Sequence, residues 1–110
     1  MLSSLYLVGQ ASKPEEVAPI KIEMTNVLKD GKKVWLPGEA KVKAGARVEL
    51  VLKNDLMEEH GFQIPGLVDP VVVPPHGTKT VSFDAIGEGQ HPFTCHMHPA
   101  HVGGTLTITK

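Results

Sequence analysis

From Ile20 to the C-terminus the apolar residues of this chain recur with a period of two rather than 3.6, and that pattern excludes most folds. The run Arg47-Val48-Glu49-Leu50-Val51-Leu52-Lys53 largely alternates charged and apolar residues. Successive side chains of a strand point to opposite faces, so such a run buries one face of a sheet and wets the other. The β-branched residues gather in short runs, which predict strands over 20–25, 32–36, 40–42, 47–53, 61–64, 71–73, 78–83, 90–95 and 105–109. Turn signals separate them: Asp30-Gly31, Pro37-Gly38, Ala44-Gly45, Asn54-Asp55, Pro65-Gly66, Pro74-Pro75-His76-Gly77 and Gly87-Glu88-Gly89. No stretch keeps the apolar stripe of a helix. The expected fold is all-β, a two-sheet sandwich with one face of each sheet buried.

At 110 residues the chain has room for one core. Residues 20–110 are expected to form that domain. Residues 1–19 precede it as an arm, the remnant of a leader or anchor, or an extra strand. Their start, Met1 to Ala11, is apolar but lacks a basic region and is too short to span a bilayer. Ser12 to Pro19 is polar and holds two prolines, as a linker would. Eleven Lys and Arg balance twelve Asp and Glu, for a net charge of -1. No basic run offers to track phosphates, so neither nucleic acid nor an anionic membrane surface is an expected partner.

The only cysteine, Cys95, rules out an internal disulfide. It is a buried small hydrophobe, a reactive thiol or a metal ligand. Its neighbours favour the last: the run Thr94-Cys95-His96-Met97-His98-Pro99-Ala100-His101 places imidazoles at +3 and +6, and His60 lies 35 positions upstream in Glu59-His60-Gly61-Phe62. One soft thiolate among imidazoles suits both Cu(I) and Cu(II), and Cu(II) heads the affinity order of divalent ions at such sites. Structural zinc is the rival, but it usually recruits paired cysteines. One copper ion is therefore the expected cofactor. His96 follows Cys95 directly, and strand alternation sends it away from the metal. His91, before a proline, and His76, in a turn, are expected to be solvated. Glu59 is expected at the surface, with hydrogen bonding to a ligand imidazole, or competition with His60, as its alternative roles. Phe62 and Trp35 are expected as core or rim packing beside the site.

These residues, with the strands around them, resemble the cupredoxin family of Greek-key copper sandwiches over roughly residues 20–110. In that family one His comes from a loop after a middle strand, and a Cys followed by a His comes from the loop between the last two strands. The resemblance puts His60, Cys95 and His98 in those places. The segment Glu59 to Pro65 and the ending Gly103-Gly104-Thr105-Leu106-Thr107-Ile108 are similar to the copper domain of cytochrome oxidase subunit II, which uses two cysteines where this chain has one. The C-x-x-H-P and H-x-x-G-T-L patterns, on Cys95, His98, Pro99, His101 and Gly104-Thr105-Leu106, look closer to the nitrosocyanin branch, whose Glu ligand falls at His60 here. The family's usual axial Met is missing, since Met97 sits too close in sequence to reach across the metal. His101 is then the fourth ligand, for a set of His60, Cys95, His98 and His101.

What the resemblance implies is a one-electron carrier rather than an enzyme, working with redox partner proteins in the periplasm or another extracytoplasmic space. Small-molecule redox chemistry at copper, with nitric oxide as the nitrosocyanin analogy would have it, is the first alternative. Copper storage or delivery is the second.

Overall fold

Nine strands and no helix make up residues 19–110, the part of the chain that this computed structural model describes. The N-terminal arm, leader remnant or extra strand expected over 1–19 falls outside the described residues except for its last position. In chain order the strands are β1 (Ile20–Lys29), β2 (Lys32–Leu36), β3 (Glu39–Lys43), β4 (Arg47–Asn54), β5 (His60–Ile64), β6 (Val68–Val73), β7 (Thr78–Asp84), β8 (Gly89–Phe93) and β9 (Gly104–Thr109).

Each predicted run is a strand, with shifted ends. β1 continues past Thr25 to Lys29 because β2 folds back on it, pairing Thr25 with Leu36 and Lys29 with Lys32. The turn between them has positive φ at both Asp30 (52°) and Gly31 (77°), the twist that suits a two-residue hairpin. β6 starts at Val68 and passes through Pro70, and β8 passes through Pro92. Both are edge strands of their sheets, where a missing N–H costs no ladder bond. The run expected over 90–95 stops pairing at Phe93, and Thr94 makes a single bridge to Gln63.

A four-stranded sheet runs β2-β1-β4-β7 and a three-stranded one β3-β9-β8, with β5-β6 as a separate hairpin. Two pairings are parallel, β1 with β4 and β3 with β9. Their inward faces enclose one core. On β4 the alternation buries Val48, Leu50 and Leu52, which join Met24, Trp35, Phe62, Ile64, Phe93 and Leu106, all at 0% exposure. Phe62 sets its ring edge-on to Trp35, centroids 5.6 Å apart, and stacks on Phe93 at 5.4 Å.

At one end the inward rows turn polar. Asn54 follows Leu52 on the buried face of β4, Asn26 follows Met24 on β1, and the two asparagines are register partners. They mark where the apolar core ends and a cluster of histidines begins.

Candidate metal centre

Three chain segments converge at that end. His60 opens β5, Cys95 lies just beyond the Thr94 bridge, and His101 sits in the loop that leads to β9. Gln63 and Thr94 exchange both backbone bonds, N to O at 3.0 and 3.1 Å, which holds β5 against the cysteine segment. The Gly61 N–H can then donate to Cys95 Sγ at 3.2 Å, and His60 Nδ1 stands 3.9 Å from the same sulfur. Trp35 donates its Nε1–H to the Gly61 carbonyl at 3.2 Å, so Gly61 is fixed from both sides. An added Cβ there would lie 2.4 Å from ring atoms of the exposed His96, which would have to swing aside.

Donor atoms of His60, Cys95 and His101 all lie within 4.8 Å of one another, and all three residues are buried. His98 stands one step outward. It groups with His60 and Glu58, and its ring centroid is 4.5 Å from that of His60. A backbone carbonyl only accepts, so His98 Nε2–H donates to Glu59 O at 3.0 Å. The structure thus brings three of the four expected ligands into one cluster and sets the fourth against His60.

His60 is fully buried, and its Nε2 is the one buried side-chain polar atom among the described residues without a hydrogen-bond partner. Glu58 Oε1, at 3.7 Å, is too far to accept. Burial chiefly, then the charges of His98, His101 and Lys33, push the His60 pKa from 6.5 down to about 4, against the pull of Glu58. Burial likewise lowers His101. Both imidazoles are therefore neutral near pH 7, the form that binds metal. A buried thiol and two neutral imidazoles, one facing the sulfur through Nδ1, form a donor set that fits copper.

Hydrogen bonds hold the surrounding loops. Asn54 Nδ2 faces the carbonyls of Glu58 (2.7 Å), Val73 and Pro74 (both 3.2 Å), while its Oδ1 accepts from the Leu56 N–H at 3.0 Å. That ties the segment before His60 to the ends of β4 and β6. Asn26 Nδ2 donates to Asn54 Oδ1 at 3.1 Å, and Asn26 Oδ1 lies 2.6 Å from His101 Nε2. Lys33 pairs with Glu58, and this hydrogen bond is the main cause of the lowered Glu58 pKa.

The other expected positions are mixed. His96 is exposed and lies over Gly61, and His76 is exposed in its turn. His91 is half-buried, its ring against the Gly87 carbonyl at the surface. Glu59 is at the surface, and the carboxylate nearest His60 belongs to Glu58 instead. Trp35 does more than pack, through its bond to Gly61 and its ring 6.2 Å from that of His101. Asn26, Asn54 and Glu58 lie outside the expected ligand set, yet Asn26 and Glu58 each face a member of it and Asn54 holds Asn26. Asn54-Asp55 reads as a turn, but position 54 continues the inward phase of 48, 50 and 52, and a buried Asn in that phase signals a polar network.

A family model described as a cupredoxin-like domain matches residues 1–108. No curated protein matches the chain.

Proposed function

The chain belongs to the cupredoxin-like domain family, and on that premise we propose that it is a mononuclear copper protein that passes single electrons between redox partner proteins. The proposed ligands are His60, Cys95, His98 and His101, carried by a domain over residues 20–110. The observation that supports this reading is the convergence of one thiol and two neutral, buried imidazoles within 4.8 Å. Copper, when bound, supplies the Cu(II)/Cu(I) couple. The chain's task is to keep the donors in one geometry for both oxidation states, so that little rearrangement accompanies the electron. Trp35 holds the Gly61 carbonyl and Cys95 the Gly61 N–H, and Asn54 pins the segment before His60. His98 is the route to a partner, because it is only half-buried and lines a cleft of about 480 Å³ with Lys32, Lys33, Pro99, His101 and Val102.

Work outside the cytoplasm follows from the chemistry, since cytosolic thiols compete for Cu(I). Among the described residues no helix is long and apolar enough to cross a membrane. A second reading, nitrosocyanin-like chemistry on a small molecule such as nitric oxide, is favoured by one feature. Glu58 stands with His60 and His98 within 4.8 Å, where a carboxylate can join or exchange with the imidazoles.

Copper titration followed by optical spectroscopy and voltammetry tests the proposal. One equivalent should give an intense thiolate-to-copper band and a reversible one-electron wave, and Cys95→Ser should abolish the band. Visible absorption that survives in Cys95→Ser, or a wild type that takes up no copper, rejects it.

A further inference from the structure

Resting on the copper reading above, we infer that Asn26 is a positioning residue: oriented by Asn54, it holds the His101 proton on Nε2 and so reserves Nδ1 for the metal. A neutral imidazole carries one N–H and one lone pair. Both nitrogens of His101 face oxygens, Nε2 at 2.6 Å from Asn26 Oδ1 and Nδ1 at 3.0 Å from the Val102 carbonyl. The ring can donate to only one of them.

The surrounding network decides which. Amide oxygen and nitrogen are told apart by their partners, and those of Asn54 leave no choice. Its Nδ2 faces three carbonyls, which only accept, and its Oδ1 takes the Leu56 N–H. Turning this amide over would set oxygen against three oxygens and nitrogen against a donor. Asn54 Oδ1 therefore also points at Asn26 and requires a donor there, which fixes Asn26 with Nδ2 toward Asn54 and Oδ1 toward His101. The ring must answer with Nε2–H.

His101 Nδ1 is then left with a lone pair rather than a proton, beside the Val102 carbonyl. Asn26 and Asn54 are 0% and 1% exposed, so water does not compete for these bonds. His98 likewise gives its Nε2–H to an oxygen, the backbone carbonyl of Glu59. Metal-binding imidazoles generally fix their tautomer through the second nitrogen in this way. At His101 the acceptor is a side chain, and mutation can remove it.

The test is nitrogen NMR of the histidine rings in the metal-free protein near neutral pH, with copper affinity measured alongside. Wild-type His101 should be protonated at Nε2. In Asn26→Leu, which is similar in size but accepts nothing, the proton should move to Nδ1, where the Val102 carbonyl accepts it. Copper affinity should fall by about 10–100-fold. Leu50→Ala, in the core, should lower stability without moving the tautomer. A wild-type His101 protonated at Nδ1 overturns the inference even if Asn26→Leu does not fold, and so does a folded Asn26→Leu with unchanged tautomer and affinity. A wild type that binds no copper would reject the functional reading alone, because the tautomers are read without metal.

Discussion

Acidifying the metal-free protein from pH 7 to pH 5 should remove about 2 kcal/mol of stability through His60 alone. Its imidazole has an ordinary pKa of 6.5 in the unfolded chain and one of about 4 when folded, chiefly because burial penalises the charged form. Above 6.5 neither state holds the proton, and the contribution is fully present. Between 6.5 and 4 the unfolded chain takes up a proton that the folded one refuses, so stability is lost as pH falls. The full gap corresponds to about 3 kcal/mol, of which roughly 2 is gone by pH 5. For a domain of this size that is a fall in Tm of roughly 8–16 °C. Thermal and urea unfolding at both pH values, for wild type and His60→Gln, isolates the effect, because His101 and the carboxylates contribute alike to both proteins. The wild type should lose about 2 kcal/mol more than the variant. Equal losses would mean that His60 is not held neutral by burial, and the account of the site as a set of unprotonated donors would fall with it.

Asn54→Leu keeps side-chain volume but strands Asn26 Nδ2, the Leu56 N–H and carbonyls at the ends of two loops, and should cost about 3 kcal/mol in urea unfolding. A cost under about 1 kcal/mol would show that water replaces these bonds. Trp35→Phe removes the only side-chain donor to the Gly61 carbonyl among the described residues and should cost about 1–3 kcal/mol, with a shift in the visible band as the Gly61 peptide relaxes against Cys95. An unshifted band would detach Trp35 from the site. Azide or nitric oxide should leave the optical and spin-resonance spectra of the copper-loaded wild type nearly unchanged, and those of His101→Gly should respond. Saturable binding to the wild type would promote the small-molecule reading over electron transfer.

Strand existence was legible because a period of two is a local property, visible in residues 47–53 without knowledge of their partners. Strand ends were less legible. Nothing between Thr25 and Lys29 alternates cleanly, and beyond Asn26 only pairing with β2 makes that segment a strand. Cys95, His98 and His101 were legible as candidate ligands from donor type and spacing, and His60 as a candidate from the family resemblance.

What the sequence by itself determined is the chemistry: an all-β chain with one thiol and imidazoles spaced to meet it. Which donors face one another is another matter, because Cys95 meets His60 only after the Gln63 and Thr94 backbones pair across 31 positions. The tertiary structure also decided that Glu58 rather than Glu59 stands by His60, and that two asparagines 28 positions apart join to grip His101. Residue type fixes what an atom can donate or bind, whereas its partner is set by strand register, and register is settled by burial of the whole core at once.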